Sequence, residues 1–166
     1  MIPKINKILY ATDLSKNSAY AFRYALNTAE KHDAQITIVY VLATSRFVGE
    51  IDWPTNVSAI FAEAKPVSAS KIKARVEAVI QKELKDRPEE IKKRIAGIEI
   101  LEGDPAAEIL EKADQMKADV LIMGTHGKGL IAHAFLGSVA SQVLQRIRIP
   151  VFVIPIPKKT DIAFND

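Results

Sequence analysis

Cysteine is absent from the 166 residues. Disulfides, thiolate catalysis and cysteine-ligated zinc or iron–sulfur sites are thereby excluded, and the chain suits a reducing compartment. Glycine and proline number only 7 and 8, too few for a collagen-like or low-complexity chain. No apolar run approaches the ~20 residues that a membrane helix needs. The stretch from Met1 to Lys7 lacks an apolar core ahead of a small-residue cleavage site, so it does not read as a signal peptide. We therefore expect a cytoplasmic protein with no membrane contact. A block of one charge is missing too. Residues 1–83 hold 11 basic and 8 acidic residues, and residues 84–166 hold 12 of each. The clusters Lys71, Lys73, Arg75 and Lys92, Lys93, Arg94 each sit near acids, and aromatics are only 7%. A dense basic patch with interleaved aromatics is what nucleic acid requires, so nucleic acid is not an expected partner.

What is present fits one globular domain over residues 1–166. Apolar residues make up 48% and charged residues 26%, enough of each to build one core with a solvated surface. Lys7–Ala11 is a short apolar run and reads as a buried strand. Ser15 to Asp33 carries Ala19, Phe22, Ala25, Leu26 and Ala29 on one helical face, with Ser15 or Asn17 able to cap its start. Gln35–Leu42 is rich in β-branched residues and reads as a second buried strand. Residues 43–66 are irregular and long for a loop. Ser68 to Asp86 returns to helical spacing, and Glu89–Ile95 adds a turn or two after Pro88. Gly97–Glu102 reads as strand three. Asp104 then caps a helix with Pro105 at its first position. Asp119–Met123 is strand four, Gly124–Gly137 a glycine-punctuated loop, Ser138–Arg146 a last helix and Pro150–Ile156 strand five. Strictly alternating strands and helices demand a parallel sheet with helices on both faces.

Open parallel sheets bind ligands beyond the carboxyl ends of their strands, where strand order reverses. Thr12 and Asp13 follow strand one, and Gly124-Thr125-His126-Gly127 follow strand four. Gly124 and Gly127 are separated by two residues, and nine more precede Gly137-Ser138. Glycine lets backbone approach a ligand closely, and a helix starting at Ser138 offers free N–H groups and a dipole to an anion. The same residues also suit a plain turn with Ser138 as a cap. The Gly-x-x-x-x-Gly-Lys-Ser/Thr phosphate loop is not matched, because Gly129 follows Lys128 and Gly124 lies only three residues before Gly127. Asp13 suits a ribose or metal ligand and a helix-side cap equally.

Thr12-Asp13, Gly103-Asp104-Pro105, and the run from Met123-Gly124-Thr125-His126-Gly127 through Leu136-Gly137-Ser138-Val139-Ala140 resemble the universal stress protein family. The likeness spans Lys7 to Pro155, and the glycine spacing is similar to that of the family's ATP-binding branch. It implies an α/β fold: an open five-stranded parallel sheet of order 3-2-1-4-5 with helices on both faces, Rossmann-like and of the adenine nucleotide alpha hydrolase type. It further implies ATP, or AMP or ADP, across the ends of strands one and four, with magnesium accompanying ATP. Ala11, Thr12 and Asp13 would then hold adenine and ribose, and Val41 would line the adenine pocket. Met123, Gly124, His126, Gly127, Gly137, Ser138 and Val139 would hold ribose and phosphates, with Asp13 reaching the metal through the phosphates. Many ATP-binding members have proline before the Thr-Asp pair and glycine after it; here Ala11 and Leu14 stand there. A left-handed backbone at Leu14 would be costly.

Members of the family are usually homodimers through strand five. Val151–Ile154 is apolar at every position and becomes an edge in the implied order. Pro150, Pro155 and Pro157 restrict its pairing to a short window, which suits antiparallel pairing with a second copy over residues 150–156. The tail at residues 157–166 folding back is the other way to cover that edge. The resulting expectation is a nucleotide-binding stress regulator whose occupancy sets its dimer or protein-partner state. A slow ATPase and a nucleotide-free interaction module are the competing readings.

Overall fold

Within residues 2–43, 69–125 and 136–155, which the computed structural model describes, the apolar runs become five strands and the periodic stretches five helices. In chain order these are β1 (Lys7–Ala11), α1 (Lys16–His32), β2 (Gln35–Ala43), α2 (Ala69–Leu84) and α3 (Glu89–Lys92), followed by β3 (Ile95–Gly103), α4 (Pro105–Met116), β4 (Val120–Gly124), α5 (Ser138–Arg146) and β5 (Val151–Ile154). Every strand pair is parallel, and the order is β3-β2-β1-β4-β5. The fold is the expected α/β one. Of the residues 43–66 and 157–166, only Ala43 lies among the described ones, as do neither His126 nor Gly127.

Burial explains why β1 and β4 read as unbroken apolar runs. Ile8, Leu9 and Tyr10 in β1, and Val120, Leu121 and Ile122 in β4, are all buried, because helices cover both faces of the central sheet. One face carries Phe22, Ala25 and Leu26 of α1 together with Ile72, Val76 and Ile80 of α2 and Ile91 of α3. The other carries Ala106, Ile109 and Ala113 of α4 with Ala140 and Val143 of α5. The chain winds to one side of β1 through β2 and β3, then crosses back to β4 and β5. Right-handed crossovers therefore put the later helices on the opposite face.

Caps set the helix starts. The Ser15 hydroxyl accepts from Ser18 N at 3.2 Å, so Ser15 and not Asn17 is the cap of α1. Asp104 accepts from Ala107 N at 2.8 Å, with Pro105 leading α4 as expected. Several boundaries differ from the sequence reading. Strand three begins at Ile95, two residues early, because Ile36 pairs with Ile95 and a register shift lets Ala96 bulge before Thr37 pairs with Gly97. That takes the end of the expected 89–95 helix, which stops at Lys92. Asp119 stays outside β4 because its carboxylate accepts from Asn6 N and Lys7 N, both at 2.8 Å. Strand β5 is shorter than 150–156. Pro150 contributes only its carbonyl, to Leu121 N at 3.0 Å, Pro155 follows the last ladder residue, and Ile156 is not among the described residues.

Helices α1 and α4 both end in a left-handed residue, Asp33 and Lys117. Lys117 is exposed, and its φ of 52° is a conformation in which glycine has no Cβ conflict. Lys117→Gly is expected to raise unfolding free energy by about 0.5–1 kcal/mol, read from urea midpoints at unchanged slope.

Candidate functional site

The reversal of strand order lies between β1 and β4, and a cavity of about 300 Å³ opens at their carboxyl ends. Its wall includes Ala11, Thr12 and Asp13 beyond β1, Val41 on β2, Met123 and Gly124 at the end of β4, and Gly137, Ser138 and Val139 at the start of α5. The fold thus gathers every described residue singled out from the sequence. His126 and Gly127 are outside the described residues.

The turn after β1 is held by its own side chains. Thr12 N donates to Val39 O at 2.9 Å, closing the β1–β2 ladder. The Thr12 hydroxyl accepts from Leu14 N at 3.2 Å and donates to Ser18 Oγ at 3.0 Å. Ser18 Oγ in turn donates to Ser15 O at 2.9 Å. Below them Tyr10 is buried; burial pushes its phenol well above the ordinary value, so it stays protonated and donates to Ser18 O. Thr12 Oγ1 is therefore committed to the turn, which leaves its backbone to face the cavity. Leu14 adopts the left-handed conformation that the sequence marks as costly, with φ at 62°, at about 1–2 kcal/mol. Its side chain packs against the core beneath α1, and its amide bond to Thr12 holds the turn.

Of the two jobs left open by its position, Asp13 does the one beside the helix. One carboxylate oxygen, Oδ1, accepts from Ser15 N at 3.0 Å beside the start of α1. The other, Oδ2, is buried with no hydrogen-bond partner among the described residues, in the wall of the cavity. A buried acceptor in this state calls for a donor or a cation.

Three helices that begin at this end of the sheet have a described capping position, and they differ in one respect. The start of α1 is capped by the Ser15 side chain, and that of α4 by the Asp104 carboxylate. Helix α5 has Gly137 at its capping position and no side-chain cap; Ser138 is its first helical residue rather than its cap. Gly137 N donates to Thr125 O at 2.7 Å, which pins the helix start beside the end of β4. Ser138, Val139 and Ala140 line the cavity, so the uncapped first turn with its partial positive charge faces it. No Lys or Arg is part of the described wall. An anion here would be held by backbone N–H groups and the Ser138 hydroxyl. Among the described residues no group of three or more His, Cys, Asp or Glu is placed to hold a metal.

Besides Ser18 of the β1 turn, sequence reading passed over Val39, Tyr40, Pro105, Ile109, Thr125 and Ala140. The signal for Pro105 and Ile109 was available, since a helix starting at the carboxyl end of the sheet brings its first turn to the crevice. Together with Val41 and Met123, Val39 and Ile109 give the cavity an apolar part of its wall.

Comparison with known proteins agrees with this architecture. The profile of the universal stress protein family matches residues 4–155. A universal stress protein of Methanocaldococcus jannaschii, MJ0531, is 37% identical over 156 residues, covering 92% of this chain and 84% of that protein. The solved structure of MJ0577 from the same organism superposes with a TM-score of 0.72 at 25% identity, covering 95% of this chain and all of the other. A universal stress protein from Archaeoglobus fulgidus in complex with dAMP shares the fold, with a TM-score of 0.55 at 18% identity over 92% of this chain and 98% of that one. With its crevice between β1 and β4 and its family profile matched from Lys4 to Pro155, the chain belongs to the universal stress protein family.

Proposed function

We propose that the cavity binds an adenine nucleotide, ATP with magnesium foremost, and that occupancy sets the dimer or partner state of a cytoplasmic stress regulator. The observation that carries the reading is the uncapped start of α5 facing a cavity that Val39, Val41, Ile109 and Met123 also line. Such a cavity offers backbone amides to phosphates and apolar surface to a flat base.

Strand geometry supports adenine. The β1–β2 ladder stops at Ala11 and Val39, whereas β2 continues to Ala43 paired with β3. In parallel strands, alternate residues turn both N–H and C=O to the same side. Val41, two past Val39, therefore directs a donor and an acceptor toward the crevice. Adenine offers the complement, a ring-nitrogen acceptor beside an amine donor. The ribose hydroxyls are the donors that Asp13 Oδ2 lacks, and a dAMP-bound relative shares the fold. Gly127 joins the phosphate end in this reading, and His126 flanks it. Asp13 is the cavity's single described carboxylate, so magnesium would take most of its oxygen ligands from phosphates and water.

Dimer formation is part of the proposal. The two sheet edges are β3 and β5. The former carries Glu99 and Glu102 and the Ala96 bulge, features that discourage edge pairing. Strand β5 has no charge, and Phe152 on it is 40% exposed. Antiparallel pairing of β5 with its copy about a two-fold axis would cover that side chain.

Nucleotide released on denaturing the purified protein, identified by its mass, tests the central reading; a folded protein that neither carries nor binds adenine nucleotide in calorimetry overturns it. Ser138→Asp puts a carboxylate at the α5 start, which favours the helix by about 0.3–1 kcal/mol while repelling phosphate. Calorimetry is expected to show ATP affinity at least tenfold weaker, with the melting temperature of the free protein unchanged or raised. Magnesium-dependent turnover is expected far below the ~10 s⁻¹ typical of enzymes, measured by phosphate release. Sedimentation is expected to give a dimer for the wild type at tens of micromolar and a folded monomer for Phe152→Glu.

A further inference from the structure

Charge is distributed unevenly between the two helical layers. Between residues 69 and 94, nine Lys or Arg stand against five Asp or Glu; between 95 and 119 the balance is two against seven. The basic stretch builds α2 and α3 on one face of the sheet, and the acidic one builds β3 and α4, which packs on the other. Helix α2 buries Ile72, Val76, Ile80 and Leu84. Its solvent side carries Lys71, Arg75, Ala78 and Lys82, with Lys85 one residue past its end, all exposed. The spacing i, i+4, i+7, i+11, i+14 lines these residues up over about 21 Å. Within α2 no carboxylate falls in the row; Asp86, i+4 from Lys82 and next to Lys85, is the one acid at its end. Glu77 lies about 200° round the helix from Arg75, and Glu83 is held by Arg23 of α1 at 2.9 Å. Lys71, Arg75, Lys82 and Lys85 form no ion pair with a described residue.

The Arg23–Glu83 bridge fixes α1 beside α2 on the same face. Helix α1 has a row of its own there: Tyr20, Tyr24, Asn27 and Lys31, at i, i+4, i+7, i+11. Tyr24 is 43% exposed and packs edge-on against Tyr20 with ring centroids 5.4 Å apart. Tyr24 follows Arg23 and Lys82 precedes Glu83, so an aromatic and a cation flank the bridge. The sequence shows no basic block with interleaved aromatics, because the cations and the tyrosines lie some fifty residues apart; folding lays the two rows side by side.

We propose that this α1–α2 face binds single-stranded nucleic acid, the cation row following the phosphate backbone and Tyr24 stacking on a base. Five cations against one carboxylate, Asp86 at the end of the longer row, suit a polyanion, whose released counterions supply the driving force. An exposed tyrosine offers a sequence-tolerant platform for bases. The absence of exposed Leu, Ile or Phe from either row gives a lipid bilayer nothing to bury. The face is separate from the nucleotide cavity and does not rest on it.

Fluorescence anisotropy of a labelled 20-nucleotide oligo-dT with the full-length protein tests the proposal. The expected result is a Kd of about 10 μM at about 50 mM salt, with a log–log salt slope near −3. The double variant Lys82→Glu/Lys85→Glu should bind at least tenfold more weakly with a shallower slope, as should Lys71→Gln/Arg75→Gln, the milder pair should the reversal disturb folding by circular dichroism. Tyr24→Ala should lose about fivefold or more on oligo-dT and little on a duplex of equal length. Ser138→Asp should bind as the wild type does. No binding at low salt, binding by both charge variants as tight as the wild type's, an equal loss by Tyr24→Ala on duplex, or tighter binding to phosphatidylserine vesicles than to oligo-dT would each overturn the assignment.

Discussion

Strand β1 pairs with β2 on one side and β4 on the other, and the arrangement of the site follows from that double pairing. Parallel strands cannot be joined by tight turns, so each connection becomes a helix crossing a face of the sheet. Because crossovers keep one hand, reversing the direction of travel at β1 changes the face. Helix α1 leaves over one face and α4 and α5 return over the other, so among the described residues no connection covers the ends of β1 and β4 directly. The crevice there is a by-product of topology. Its lining is whatever the chain places in the few residues after each strand.

Those residues divide the electrostatic work unevenly. Helix starts at this end share a partial positive charge, yet two of the three described here satisfy their amides internally, through Ser15 and Asp104. Of these three, only the α5 start, with glycine at its cap, keeps that potential for something outside the chain. The β1 turn does the converse. Its hydroxyls on Thr12 and Ser18 are spent on one another and on backbone, and Leu14 holds a strained left-handed conformation to keep the turn closed. What the turn leaves unpaired is one buried side-chain acceptor, Asp13 Oδ2. The α5 start thus favours negative charge and the β1 turn favours donors, which is the polarity of a nucleotide.

Much of this was legible in the chain. Continuous apolar runs at Lys7–Ala11 and Val120–Met123 mark strands buried on both faces, because only such strands dispense with polar alternation. Asp104-Pro105 marks a helix start through local chemistry alone, with a carboxylate for the orphan amide and a ring that needs no donor. The glycine spacing pointed to the end of β4. Boundaries set by long-range pairing were less accessible. The early start of β3 depends on Ile36 choosing Ile95 as partner, and the exclusion of Asp119 from β4 depends on amides more than a hundred residues away.

The sequence by itself determined the order of elements, the helix caps and the positions of the strand-end residues, since these depend on side chains within a few residues of one another. Tertiary structure decided which of those residues share a wall: Ile109 facing Val41, and Asp13 near Ser138, are brought together by β1 lying between β2 and β4. It also decided the conformation of Leu14. Local sterics disfavour a left-handed leucine, but packing of its side chain against the core and its amide bond to Thr12 outweigh a cost of about 1–2 kcal/mol. Local rules set what each residue prefers; only the assembled sheet sets which preferences are overruled.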